Sequence, residues 1–343
     1  MIKVKILNYN VGRNEPTFRP LTFIRDMLYN DYSIELTTDD DYDYMFVGMN
    51  EFINKQIPLN ESVEWGLENL EKVTEGGDYF LFDGSDSTSL MGAYEVFEQS
   101  NAKYLFKNQL LSREEYKKPT AFNKWFFDKD SDLDLSYDIP KDKWDRIKLS
   151  GYNLGYLLPQ YRNFQPINKN KNIDVCAIYQ AEHKYNEDHG VRNDLHYTNH
   201  RKGAWDILDS KFDSRKDKLP YQEYIQTLYN SKVAISPFGM GEVCFRDFEC
   251  MQFGTIIIKP SMSMVNTIPS IYEDNETYIS CKYDWSDLNE KIDYVLTNFN
   301  TLNERINHNI REKFTKEYSY EKLCLYLYNI FANLDNVKKD GEN

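Results

Sequence analysis

The stretch SPFGMGEVCFRDFECMQFGTIIIKP, Ser236 to Pro260, decides how this chain is read. It continues the apolar run KVAIS, passes through a loop holding Gly239 and Gly241, and enters a charged segment with a helical period. It ends in TIIIK (Thr255 to Lys259), the most apolar strand of the chain. Gly254 follows the periodic segment at the place where a left-handed cap favours glycine. The expected unit is strand, loop, helix, strand, with the helix over Glu242 to Phe253. At about 100° per residue, Glu242, Arg246 and Glu249 fall on one helix face. Cys244, Phe245, Phe248, Met251 and Gln252 fill most of the opposite arc. One side is therefore expected to be buried, while the other offers two carboxylates and a guanidinium.

That arrangement has a chemical reading. In open parallel sheets, ligands bind beyond the carboxyl ends of the strands. Free N–H groups and the dipole at a helix N-terminus favour an anion such as phosphate. Gly239 and Gly241, with Met240 between them, let a ligand approach the backbone closely. A diphosphate would sit at this loop and Arg246, Glu249 would accept hydrogen bonds from vicinal hydroxyls, as on a ribose, and Glu242 would meet a sugar. The competing reading is a solvated ladder of Glu–Arg–Glu ion pairs on a helix surface. Geometry alone leaves both open.

The rest of the chain sets bounds. Its 343 residues suggest two domains. A hydrophobic fraction of 41% with 28% charged residues fits a folded globular protein. The net charge of −14 carries no global electrostatic footprint for nucleic acid or an anionic membrane, so a phosphate ligand needs a local positive pocket. No apolar run reaches the length of a membrane span, and MIKVKILNYN lacks the apolar core of a signal peptide. Cys176, Cys244, Cys250, Cys281 and Cys324 are scattered and odd in number, as expected for reduced thiols in the cytoplasm.

Along the chain, strands and helices alternate twice. VKILNY, SIELT, DYMFVG, DYFLFD and AKYLFK read as strands, with helices around Phe18 to Tyr29 and Trp65 to Val73. The second series starts at NIDVCAIYQ (Asn172 to Gln180). Helices are expected from His200 to Asp209, Tyr221 to Asn230 and Asp284 to Leu296, and in two pieces between Leu302 and Leu334. Alternation of this kind implies mostly parallel sheets with helices on both faces. The expected domains are residues 1–150 and 171–334, joined through an irregular, Pro-, Asp- and aromatic-rich stretch over about 117–170.

SPFGMGEVCFRDFECMQFGTIIIKPSMSMVNTIPSIY, followed by ETYISCKYDWSDL, resembles the donor-binding half of GT-B glycosyltransferases, in particular bacterial family-1-like members with a G-E-x-x-x-R-D-F-E-A-x-x-x-G-x-x-x-x-K-P segment. The close likeness covers Tyr221 to Leu288. It implies an α/β GT-B fold, with two Rossmann-like domains whose parallel sheets face a cleft. It implies transfer of a sugar from a nucleoside-diphosphate sugar to a hydroxyl of a glycan, lipid or protein, with no metal or other cofactor. Glu249 matches the glutamate that holds the ribose, and Gly239 and Gly241 match the loop at the diphosphate. The chain departs from the wider pattern in two places. Only six residues separate Glu242 from Glu249 where seven are usual, and Cys250 replaces an alanine. Two alternatives share the scaffold: a sugar-nucleotide epimerase or hydrolase, and a non-catalytic nucleotide- or glycan-binding module.

Further candidates sit at other strand ends. Arg201 and Lys202 open a helix after the first strand of the second domain, where GT-B enzymes bring a basic residue to the diphosphate. Lys259 and Ser261 follow TIIIK and are candidates to line the nucleotide or sugar pocket. Asp83 and Asp86, in DGSDS after a strand of the first domain, are candidates for the base on the acceptor hydroxyl. Gly12 and Arg13, after the first strand, are acceptor-side candidates. His196 and His200 have zinc-compatible helical spacing but lack the H-E-x-x-H context. The acidic runs TTDDDYDY (Thr37 to Tyr44) and DSDLDLSYD (Asp130 to Asp138) read as a turn between strands and a solvated connection.

Overall fold

The computed structural model describes residues 1–7, 19–49, 52–54, 57–118, 136–150, 163–181, 195–208, 212, 215–216, 218–239 and 241–341. The chain divides into two compact units. The first comprises Met1–Tyr156, Thr267–Pro269 and Glu317–Asn343, and the second Leu157–Asn266 and Ser270–Lys316.

Unit 1 is built on a parallel sheet of β1 (Ile2–Ile6), β2 (Ile34–Thr37), β3 (Tyr44–Gly48), β4 (Tyr79–Asp83), β5 (Tyr104–Lys107) and β7 (Ile147–Leu149), with β6 (Leu110–Leu111) between the last two in sequence. The order across the sheet is β2-β1-β3-β4-β5-β7. The helices are α1 (Arg19–Tyr32), α2 (Leu59–Thr74), α3 (Ala93–Gln99), α4 (Arg113–Tyr116) and α5 (Lys141–Trp144). All five residues of β4 are buried, as expected for a central strand covered on both faces. Phe46, Phe80, Phe82 and Phe106 interlock, with neighbouring ring centroids between 5.2 and 6.2 Å apart.

Part of the stretch expected to be irregular is ordered. β7 extends the sheet beside β5, with Leu105 paired to Ile147, and the single turn of α5 precedes it. Three strand residues and one helical turn are too short to show a period in the sequence.

Unit 2 carries a second parallel sheet: β8 (Ile173–Ile178), β9 (Arg215–Lys216), β10 (Ser231–Ile235), β11 (Ile256–Pro260) and β13 (Ile279–Cys281), in the order β13-β11-β10-β8-β9. The two-residue β12 (Val265–Asn266) follows β11 in sequence. Its helices are α6 (Leu195–Ile207), α7 (Tyr221–Asn230), α8 (Phe245–Gln252), α9 (Leu288–Thr297) and α10 (Phe299–Glu317). β11 is fully buried, which accounts for its unbroken run of isoleucines. α8 stops where Gly254 takes φ +66°; a Cβ there would lie 3.0 Å from Asn307 Oδ1, so only glycine suits both the turn and the space.

The final helix, α11 (Tyr320–Gly341), belongs to unit 1 although unit 2 precedes it in sequence. Phe331 sits 5.8 Å from Phe46 and from Phe80, inside the phenylalanine cluster. Tyr328 and Tyr320 pack on Tyr32 and Phe23 of α1. Among the described residues no helix is long and apolar enough to cross a membrane.

Candidate functional site

The candidate site begins at the carboxyl end of β10. The strand ends at Ile235, and Ser236 to Cys244 form the loop that leads into α8. The helix starts later than its sequence period suggests. Phe245 is its first residue, and Cys244 is the extended cap, with φ −120° and ψ 148°. Glu242 therefore lies in the loop, fully buried, and does not share a helix face with Arg246 and Glu249.

Asp247 sets that start, and sequence reasoning passed over it. Its carboxylate accepts the Cys244 backbone N–H at 3.1 Å, the Ser236 hydroxyl at 2.6 Å and the Tyr272 hydroxyl at 2.7 Å. Lys259 pairs with it at 3.0 Å, and both side chains have no exposed surface. The Lys259 ammonium also lies 4.9 Å from the centre of the Phe238 ring. Lys259 thus supports the loop from beneath; its burial takes it out of the pocket-lining position expected from the sequence. A signal for Asp247 existed. An acid three residues after a cap is half of a capping box, but the usual Ser or Thr is a cysteine here.

The glycine loop closes on itself. Gly239 N–H donates to the Gly241 carbonyl at 2.9 Å, and the Cys244 thiol lies 3.6 Å from the Pro237 carbonyl and 3.7 Å from that of Gly241. A Cβ on Gly239 would come within 3.4 Å of Cys244 Sγ and 3.5 Å of Arg201 Nη2. Met240 lies outside the described residues, as do Gly12, Arg13 and most of the acidic run at 130–138.

Arg201 reaches this loop from α6. It donates through Nε to the Phe238 carbonyl at 3.0 Å and through Nη1 to the Gln180 carbonyl at 2.6 Å. It therefore ties the end of β8 to the loop after β10. Arg246 approaches from the other side, donating to the Ile178 carbonyl at 3.2 Å, while its buried Nη1 has no hydrogen-bond partner among the described residues. The two guanidiniums lie 5.6 and 5.3 Å from the centre of the Tyr179 ring, so one aromatic side chain carries both cations. Glu249 stands one turn beyond Arg246, half-buried. Its Oε2 accepts the Tyr224 hydroxyl at 2.6 Å. Burial pushes the Glu249 carboxyl above its ordinary pKa, against the pull of Tyr224 and Arg246.

His200 lies behind the loop. Its Nε2 accepts the Phe238 N–H at 3.3 Å, and its ring stacks on Tyr283 with centroids 4.4 Å apart. Burial, then the charges of Lys259 and Arg201, push its pKa down to about 3, so it is neutral and holds backbone. Among the described residues no group of three His, Cys, Asp or Glu could hold a metal. Ser261 follows β11, half-buried, with its hydroxyl 3.0 Å from that of Ser263.

In unit 1, Asp83 and Lys107 end the neighbouring strands β4 and β5 in register. Their side chains pair at 2.7 Å, fully buried or nearly so, and Lys107 also donates to the Ser85 hydroxyl at 2.8 Å. Burial pushes the Asp83 carboxyl up, but Lys107 and the Ser85 hydrogen bonds outweigh it and hold the pKa below the ordinary value. That weakens Asp83 as a proton acceptor. Asp86, in the same loop, is exposed. The acidic turn after β2 is matched to lysines of β1: Lys5 meets Asp40 at 2.6 Å and Lys3 meets Asp41.

Neither a protein-family model nor a curated protein sequence matches this chain. Solved structures do. HepE from Anabaena, in complex with UDP-glucose, superposes with a TM-score of 0.50 at 11% identity, covering 97% of this chain and 100% of that one. Sucrose-phosphate synthase from Thermosynechococcus elongatus gives 0.48 at 10% identity, covering 98% and 100%. The protein has the GT-B fold, with two Rossmann-like units of parallel strands.

Proposed function

We propose that this protein is a glycosyltransferase, moving a sugar from a nucleoside-diphosphate sugar to a hydroxyl of a glycan, lipid or protein. One observation carries the reading. A glycine loop runs off the carboxyl end of β10 into the N-terminus of α8, with Arg246 and the half-buried Glu249 in the next two turns. Strand end, helix N-terminus and cation favour the diphosphate, and a carboxylate one turn on suits the ribose diol. HepE shares the fold and was solved with UDP-glucose, which makes UDP the first nucleotide to try.

In this reading the charge that develops on the leaving diphosphate is stabilised by the α8 dipole and Arg246, with no metal ion required. Arg201 holds the loop in shape through its two carbonyl contacts. Asp86 takes the acceptor proton in preference to the ion-paired Asp83. No step is assigned to Glu242, whose carboxylate is fully buried.

Thermal unfolding across a panel of nucleotides and nucleotide sugars tests the proposal. A ligand at about 100 times its dissociation constant should stabilise the protein by ~2.7 kcal/mol. A flat response across the panel removes the donor site. Binding without transfer to any acceptor would favour a non-catalytic module, and release of free nucleoside diphosphate and sugar without acceptor would favour hydrolysis.

A further inference from the structure

Glu249 is not alone in its site. Tyr224 lies in the first turn of α7, where its own N–H donates to the Pro220 carbonyl at 2.9 Å and fixes the backbone. From there its phenol reaches across to α8 and donates to Glu249 Oε2 at 2.6 Å, a short, charge-assisted bond. Arg246 is anchored one turn before, by Ile178 and the Tyr179 ring. A carboxylate on a flexible side chain can rotate away from a diol, whereas one oxygen held by a fixed donor leaves the other in a defined place.

We propose that Tyr224 is a positioning residue, holding Oε2 of Glu249 so that Oε1 is set to receive the vicinal hydroxyls of a nucleotide ribose. This rests on the nucleotide-sugar reading above. Tyr224 acts through Glu249 and need not touch the ligand.

The same bond controls charge. The groups facing the Glu249 carboxyl are Tyr224 from α7 and Arg246, Asp247 and Cys250 from α8. Burial raises its pKa, Asp247 adds to the rise, and Tyr224 and Arg246 oppose it. A protonated Glu249 is a poor acceptor for a diol, so nucleotide binding should weaken as pH falls through its pKa. Removing the phenol takes away one of the two opposing groups. The acid limb of binding should then move to higher pH.

The test is calorimetric titration of UDP and 2′-deoxy-UDP into wild type, Tyr224→Phe and Glu249→Gln, between about pH 5 and about pH 8. Tyr224→Phe should weaken UDP about fivefold at the upper end, with the loss growing as pH falls. It should also narrow the preference for UDP over 2′-deoxy-UDP. Glu249→Gln should lose about tenfold or more and show no acid limb. Tyr224→Phe with wild-type affinity and an unmoved acid limb overturns the proposal. A loss that is equal at every pH, with the 2′-hydroxyl preference intact, marks ordinary packing and overturns it as well. Glu249→Asp gives an independent check, because its shorter carboxylate keeps the charge but withdraws from the Tyr224 oxygen. It should lose nearly as much UDP affinity as Glu249→Gln, and wild-type affinity in this variant also overturns the proposal. If wild type binds none of UDP, GDP and ADP, the donor-site reading fails first and takes the role of Tyr224 with it.

Discussion

Among the described residues, each unit buries one lysine–aspartate pair at the carboxyl end of its sheet, but the two pairs join different things. In unit 1, Asp83 and Lys107 stand on adjacent strands, and the second carboxylate oxygen accepts the Ser85 N–H at 2.9 Å. The pair ties two strand ends and the turn that follows. In unit 2, Lys259 again ends a strand, but its partner Asp247 is on the first turn of a helix, where it also holds the cap. That pair joins strand, loop and helix N-terminus. A buried ion pair is weak evidence for stability, since an apolar pair often does as well, but losing one partner leaves an unpaired buried charge. By contrast with the first, the second pair shapes the glycine loop and the start of α8, the part of the unit read as the nucleotide site.

The largest effect should come from breaking the pair in unit 2. Lys259→Met leaves Asp247 charged and buried, and should destabilise by ~3–5 kcal/mol in urea unfolding. It should also weaken nucleotide binding, because the loop loses its support. Lys107→Met, the matching change in unit 1, should destabilise by up to the same ~3–5 kcal/mol. At a temperature where the variant is folded, however, its nucleotide affinity should stay within about twofold of wild type, as expected for a pair that holds no part of the glycine loop. Equal losses of affinity in both variants would erase the distinction between the pairs.

Glu249→Ala should lower nucleotide affinity by ~1.5–3 kcal/mol, since it removes hydrogen bonds to a charged acceptor, with little change in stability. An unchanged dissociation constant would remove Glu249 from the site. The smallest expected effect concerns His200. Its folded pKa, about 3, lies below the unfolded value, so the unfolded chain binds a proton that the folded one does not. Its contribution is intact above the unfolded pKa and declines as pH falls toward the folded one. The slope is at most ~1.4 kcal/mol per pH unit. Urea midpoints measured on acidification should fall less steeply for His200→Gln than for wild type.

The strand–helix rhythm of both units was legible because buried parallel strands such as YFLFD and TIIIK write themselves as apolar runs. α7 falls where its period places it, over Tyr221–Asn230. What escaped was whatever depends on partners distant in sequence. Lys107 looks like a polar strand end, and only Asp83, 24 residues earlier, makes it core. Tyr224 lies 25 residues before Glu249, and no local pattern marks the pair. The early start expected for α8 had a different cause. Glu242 continues the helical charge pattern, yet it is buried in the loop between Gly241 and Val243, and the cap at Cys244 is decided by Asp247.

The return of α11 to unit 1 has a consequence for biosynthesis. The phenylalanine cluster under the first sheet lacks Phe331 until all of unit 2 has been made. On the ribosome, the strands of unit 1 emerge before unit 2, yet their core receives its final helix after it. Their apolar face must wait, uncovered, through the synthesis of all of unit 2, which is the period in which a nascent chain is most exposed to aggregation. A stop codon shortly before Tyr320 would make that wait permanent, removing a piece of core 274 residues away from Phe46 while leaving every residue of the second sheet in place.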